Sequence, residues 1–337
     1  MEPEEALGRS IEAGDRRALA QGVTLVESAR SEDRARAARL LETLREREPP
    51  ALRLAVTGPP GAGKSTLIDK LGALLIAEGQ RIAVLAIDPT SQVTGGSILG
   101  DKTRMSGLLR DARAFIRPSP SGSAAGGVAE RTREALRLCE AAGFDTVIIE
   151  TLGVGQGEQA VRDIVDVCLV VLLAGAGDEL TGIKRGLLEV GDLFVVNKAD
   201  GAGESEAQAA RAMYESALGT LQGRPTQVLA VSAIESTGLS ELRRAIADRF
   251  AESVANGELV RERSRQRVRW FESLLRVGAV EAFLAQPRIQ AKIQEFMPLV
   301  QTGALDAVAA AARVFACLDA VDAVDAVDAV DDTSRET

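Results

Sequence analysis

The stretch Gly58-Pro59-Pro60-Gly61-Ala62-Gly63-Lys64-Ser65-Thr66 satisfies every fixed position of the pattern G-x-x-x-x-G-K-[ST], and its flanks give it a context. Before it, Leu52 to Thr57 is a short apolar run of strand length. After it, Ser65 to Glu78 carries helical spacing. In a strand–turn–helix of this kind the glycines let backbone N–H groups turn inward around a phosphate chain. Lys64 then adds positive charge at the β and γ phosphates, and the Ser65 hydroxyl can ligate magnesium. A plain glycine turn would need neither Lys nor Ser at those places. All nine residues, Gly58 to Thr66, are therefore candidate nucleotide contacts, and Lys64 is also a candidate catalytic residue.

Outward from the loop, apolar runs recur at Ile82 to Ile87, Ala114 to Ile116, Thr146 to Ile149, Val167 to Leu173, Leu193 to Val196 and Val228 to Val231, with helical patterns between most of them. Strands that are apolar on both faces and alternate with helices imply an α/β fold whose sheet is mainly parallel and covered on both sides. The fold class expected is a P-loop NTPase domain over residues 51–256. An N-terminal helical arm (1–50), with Leu19, Val23, Leu25 and Val26 at helical spacing, precedes it and ends at Pro49-Pro50. Beyond it the pattern is helical over 257–317 and contains the single Trp, Trp270, beside Phe271. The last segment, 318–337, repeats Ala-Val-Asp, a period of three that drifts around a helix, and it reads as a disordered tail.

Asn197-Lys198-Ala199-Asp200 follows an apolar strand and matches N-K-x-D. The Asp200 carboxylate can accept from guanine N1–H and the 2-amino group, a pair that adenine does not offer in that arrangement. Lys198 would lie along the base, and Asn197 would tie this loop to the phosphate loop. Ser232-Ala233, after the next strand, would supply a backbone N–H for guanine O6. The tetrapeptide alone is weak, since Asn and Asp are common in turns, but order and context favour GTP over ATP.

Glu150-Thr151-Leu152-Gly153 ends another strand and resembles a D-x-x-G switch with Glu in place of Asp. Glu150 would hold magnesium directly or through water, and the Gly153 N–H would touch the γ-phosphate. Asp88, at a strand end, and Asp101, in the loop after it, are further acidic candidates; their plain alternatives are a turn residue and a solvated charge. The metal set is thus Ser65, Asp88, Asp101 and Glu150. Val154 stands where a water-positioning Gln would follow Gly153, and Gln156, two residues further on, is the candidate catalytic glutamine of the switch loop, against the plain reading of a polar loop residue. Slow intrinsic turnover, accelerated by a partner, is the expectation.

Composition excludes several rivals. The chain of 337 residues is 46% apolar and 26% charged, the mix of a globular protein. A net charge of −9 argues against nucleic acid as partner. The most apolar run, Val167 to Ala176, is too short to span a membrane, and the acidic start, Met1 to Glu5, is unlike a signal peptide, so the expected location is the cytoplasm. Histidine is absent and Cys139, Cys168 and Cys317 form no pair, so any metal site is built from oxygen, which suits magnesium.

Asp88-Pro89-Thr90-Ser91 and Gly95-Gly96-Ser97-Ile98-Leu99-Gly100-Asp101-Lys102-Thr103-Arg104-Met105 resemble the MeaB/ArgK family of GTPases, as do Glu150 to Gln156 and Gly175 to Gly186. The likeness covers nearly the whole chain except the repeat tail. It implies a GTP/GDP-cycling, magnesium-dependent chaperone that gates cofactor loading and protects an adenosylcobalamin-dependent acyl-CoA mutase, typically methylmalonyl-CoA mutase. It also implies a homodimer through C-terminal helices, roughly Leu259 to Ala316, and a mutase-contacting loop at Gly177 to Lys184. By this likeness Lys184 could supply the missing positive charge, against the plain reading of a solvated lysine. Two rivals stand beside it. A metal-insertion GTPase would want His or paired Cys ligands, and a small-molecule or protein kinase linked to amino-acid transport would need an acceptor pocket and a base.

Overall fold

The computed structural model describes residues 2–28, 30–88, 105–120, 127–151, 161–174, 185–222 and 226–317. Among them the chain opens with α1 (Pro3–Glu12), α2 (Arg16–Glu27) and α3 (Ser31–Thr43). The sheet region follows as β1 (Leu52–Thr57), α4 (Lys64–Ala77), β2 (Ile82–Asp88), α5 (Ser106–Leu109), β3 (Ala114–Pro120), α6 (Gly127–Ala141) and β4 (Thr146–Glu150). It continues through β5 (Val167–Leu173), α7 (Arg185–Val190), β6 (Leu193–Asn197), α8 (Glu204–Gln222), β7 (Val228–Ala230) and α9 (Leu239–Ala255). Then come α10 (Glu258–Ala285), α11 (Pro287–Gln301) and a helix over 307–317.

The seven described strands form one sheet in the order β3-β2-β4-β1-β5-β6-β7, and each pairing is parallel. The expected α/β class with a parallel sheet is what the chain adopts. Its strand alternation explains why both faces are covered. Leu52, Leu54 and Val56 of β1, with Val167, Leu169 and Val171 of β5, face a cluster built with α4 and α9. Ala55, Cys168, Val170 and Leu172 face the opposite way, into a cluster that includes Leu19 and Val23 of α2, Leu136 of α6 and Tyr214 of α8. A period of two with apolar residues at both parities is what a doubly covered strand requires. β3 runs four residues past the apolar run that ends at Ile116, because β2 pairs with it as far as Asp88 opposite Pro120. It is an edge strand, where Pro118 and Pro120 cost few ladder hydrogen bonds.

In the arm, Asp15 caps α2 by accepting from the N–H groups of Arg17 (2.7 Å) and Ala18 (3.2 Å), and Leu19, Val23 and Val26 bury the helix's apolar stripe. The chain divides into two compact units, Met1–Arg267 and Val268–Thr337. The start of α10 belongs to the first: Arg263 forks onto Asp166, and the Gln266 amide donates to Val165 O at 2.8 Å. In the second, Phe283 stacks on Phe315 with centroids 5.5 Å apart and Ile289 is buried. Among the described residues no helix is long and apolar enough to cross a membrane.

Candidate nucleotide site

In the sheet order β1 lies between β4 and β5, so the chain leaves β1 toward one side of the sheet and returns to fill the other. Ligands of open parallel sheets bind outside the carboxyl ends of the strands at such a reversal. The phosphate loop, the end of β4 and the loop after β6 all lie at those carboxyl ends.

Two glycines of the loop are required by close approach. Gly58 has φ +144, and a Cβ there would lie 2.1 Å from the carbonyl oxygen of Val171 in β5; Gly63 has φ +83, and a Cβ would lie 2.6 Å from Asn197 Nδ2. Pro60 and Gly61 form the exposed tip, Pro59 and Thr66 are half-buried, and Ala62 is buried. Lys64 opens α4 and is buried, its Nζ donating to Gly58 O (2.8 Å) and Pro59 O (3.0 Å). The ammonium is thereby held against its own loop, where a phosphate oxygen is the stronger, charge-assisted acceptor.

In the next residue, Ser65 Oγ donates to Glu150 Oε1 at 2.7 Å, joining the start of α4 to the end of β4. Because the hydroxyl spends its proton on the carboxylate, its lone pairs stay available to a cation. Two oxygens side by side suit a hard ion. Among the described residues no group of three or more His, Cys, Asp or Glu could hold a metal by itself. The Ser65 and Glu150 oxygens are a donor pair that would fit magnesium, which takes one or two protein oxygens and completes its shell with phosphate and water. Asp88 ends β2, with its backbone paired to Pro120. Asp101, Gly153, Gln156 and Lys184 lie outside the described residues.

The base-reading loops are tied by one side chain. Asn197, 2% exposed, donates from Nδ2 to Ala62 O (2.8 Å) and accepts at Oδ1 from the Ala233 N–H (3.2 Å). It thus links the phosphate loop to the loop after β7. Of the Ser232-Ala233 pair expected to offer a backbone N–H, Ser232 turns its N–H to Thr237 O (3.1 Å), while its hydroxyl donates to Asp200 Oδ2 at 2.5 Å. That bond orients the carboxylate, and the remaining lone pairs can accept from the guanine edge. The Ala233 N–H, bonded at long range, can be shared with O6. Lys198 is exposed and holds φ +66, a left-handed conformation uncommon for a side-chain-bearing residue.

Sequence reasoning passed over a further pair. Thr151 Oγ1 donates to Thr57 Oγ1 at 2.8 Å, and the Thr151 N–H bonds Val56 O at 3.1 Å, so the ends of β1 and β4 are spliced just below Ser65 and Glu150. Hydroxyl residues at strand ends are too common to have signalled this. Together the groups can cradle a triphosphate, hold its metal and read a guanine edge.

Comparison with known proteins agrees with that chemistry. A family model described as "Methylmalonyl Co-A mutase-associated GTPase MeaB" matches residues 19–288, a span that holds all the described site residues. The chain is 49% identical over 266 residues to "GTPase ArgK" of Escherichia coli (strain K12), covering 78% of this chain and 80% of that protein. It is 42% identical over 312 residues to "Methylmalonic aciduria type A homolog, mitochondrial" of Mus musculus, covering 88% and 75%. A crystal structure described as "LAO/AO transport system kinase" superposes with a TM-score of 0.70 at 35% identity, covering 94% of this chain and 97% of that one. The chain therefore belongs to the MeaB family of methylmalonyl-CoA mutase-associated GTPases, and it binds guanine nucleotide and hydrolyses GTP.

Proposed function

We propose that this GTPase is a nucleotide-driven chaperone of an adenosylcobalamin-dependent acyl-CoA mutase, methylmalonyl-CoA mutase or a relative, gating cofactor loading and protecting the mutase from inactivation. The observation that carries this is the family match over residues 19–288, whose description names the mutase association. The name of the mouse relative points the same way.

Within that cycle Lys64 and the loop N–H groups would hold the β and γ phosphates, and Ser65 with Glu150, joined by Asp88 and Asp101, would hold magnesium. Magnesium would supply charge neutralisation at the leaving phosphate oxygens. Gly153 senses the γ-phosphate. Val154 offers no side-chain amide to orient water, so turnover is slow until a partner brings Lys184, with Gln156, toward the nucleotide. The second unit exposes Phe271, Leu275, Val280 and Leu284 along α10, an apolar run that supports a homodimer through the C-terminal helices.

The test is co-purification of the chain with a candidate mutase under GTP and under GDP, followed by single-turnover hydrolysis with and without the mutase. Complex formation that depends on the nucleotide, with hydrolysis accelerated by the mutase, is the expected result. Binding indifferent to nucleotide, or fast hydrolysis by the chain alone, overturns the reading, and full stimulation of Lys184→Ala removes that residue's role. The description of the superposed crystal structure favours one alternative, a kinase. Labelled GTP separates the two: release of inorganic phosphate supports the switch, and label carried to an added protein or amino acid supports the kinase.

A further inference from the structure

A cavity of about 330 Å³ opens at the amino ends of β1 and β4, the end of the sheet opposite the phosphate loop. Its walls are apolar: Leu52 and Leu54 from β1, Leu71 and Leu75 from α4, Ile246 and Phe250 from α9. A few polar side chains converge on it, and their hydrogen bonds show what they can offer a guest. Asp145 offers little, because Oδ1 accepts from Arg47 Nη2 at 2.5 Å and Oδ2 from the Arg81 N–H at 2.7 Å. Thr146 spends its hydroxyl proton on Gln80 Oε1 at 2.8 Å.

What remains is a pair of donors. With its oxygen engaged, Gln80 has an amide nitrogen that makes no hydrogen bond among the described residues. Arg243 Nε lies 3.2 Å from Glu78 Oε1 yet lacks the alignment of a hydrogen bond, so its guanidinium is attracted to that carboxylate without being saturated by it. Arg47 is paired with Asp145 and Arg243 with Glu78, so the cavity offers a guest hydrogen-bond donors and not an excess of charge. Apolar walls with a guanidinium and an amide donor form the pattern of a site that orients an amphipathic acid.

We propose that this cavity binds a small aliphatic carboxylic acid, its carboxylate on Arg243 and Gln80 and its tail against the leucines of β1 and α4. A volume near the low end of ligand pockets restricts the tail to short or medium length. One guanidinium and an apolar floor disfavour a nucleotide or a dicarboxylate.

Titration calorimetry of the full-length chain with sodium octanoate and with 1-octanol tests this. Octanoate should bind one to one, and octanol at least about 10-fold more weakly, since it lacks the charge-assisted bonds. Arg243→Gln should weaken octanoate roughly 10-fold and leave octanol unchanged. Ala247, on the cavity lining and exposed, can be enlarged without disturbing the core, and Ala247→Trp should abolish binding of both. Both variants should keep their GTP affinity, which reports that the fold is intact. Absence of octanoate binding, equal affinity for octanol, or binding that survives Ala247→Trp overturns the proposal. A loss of GTP affinity in Ala247→Trp moves that arm to Ala247→Leu, which must still weaken octanoate.

Discussion

The two ends of the sheet in the first unit are built from different bonds. At the carboxyl ends, side chains meet through single hydrogen bonds: Ser65 on Glu150, Thr151 on Thr57, Asn197 between Ala62 O and the Ala233 N–H, Ser232 on Asp200. At the amino ends, guanidinium forks clamp carboxylates. Arg53 reaches both oxygens of Glu140 at 2.8 Å, and Arg263 reaches those of Asp166 at 2.9 and 2.6 Å. Arg162 reaches those of Asp192 at 2.8 and 3.2 Å. Asp166 and Asp192 also accept the backbone N–H groups of Arg53 and Cys168, at 2.9 and 2.8 Å. Burial pushes the Asp192 carboxyl up from its ordinary range, against the pull of Arg162 and the Cys168 N–H. The difference teaches where the fold is locked and where it can exchange partners. A single bond can be traded for a phosphate or a base at little cost, whereas a forked and buried ion pair, once broken, strands a charge.

The largest test of that contrast is Asp166→Ala. Its carboxylate is 1% exposed and Arg263 13%, so the substitution should remove about 3–5 kcal/mol in a urea titration while GTP affinity of the folded fraction holds. A loss below about 1 kcal/mol, the worth of a surface pair, would erase the distinction between the ends. At the other end, Asp200→Asn should leave stability nearly unchanged and cut GTP affinity on the order of 10²-fold, from about 2–3 kcal/mol of charge-assisted bonds. The same variant should gain affinity for xanthosine triphosphate, whose 2-oxo group accepts from the new amide. Calorimetry with both nucleotides checks this, and unchanged GTP affinity would remove Asp200 from base reading. A smaller effect is expected of Ser65→Ala, which deletes one metal oxygen: the magnesium concentration for half-maximal hydrolysis should rise roughly 10-fold.

The smallest concerns Asp111, a half-buried carboxylate that the Arg113 side chain and backbone N–H hold down at about 2 against an ordinary 3.8. Its folded value is the lower one, so its contribution is complete above 3.8 and is lost as the pH falls through about 2. Asp111→Asn should flatten that part of the acid limb in pH-dependent melting. A slope unchanged by the substitution would show that acid sensitivity resides in the buried clamps instead.

Much of the nucleotide site could be read from sequence because its residues are contiguous. The phosphate loop is nine consecutive residues and N-K-x-D four, each following an apolar strand, so local pattern carried both. The strands were legible for a similar reason, since their doubly apolar runs have no polar face to confuse the period. What escaped were contacts between distant positions. Thr57 and Thr151 are 94 residues apart, and Arg263 and Asp166 are 97 apart, with no composition to mark them. The hydroxyl role of Ser232 escaped too, because its N–H is taken by Thr237 through a turn whose closure depends on the fold.

By itself the sequence determined that a triphosphate is held, that guanine is the base it favours and that a parallel sheet carries the loops, since each of these follows from residues adjacent along the chain. Only the tertiary structure decided that Asn197 joins two loops, that Ser65 shares its proton with Glu150, and that Arg243 and Gln80 face one cavity over a leucine floor. Those pairings depend on which strands lie side by side, and strand order is set by burying both faces of the whole sheet at once, a condition that no local stretch of chain contains.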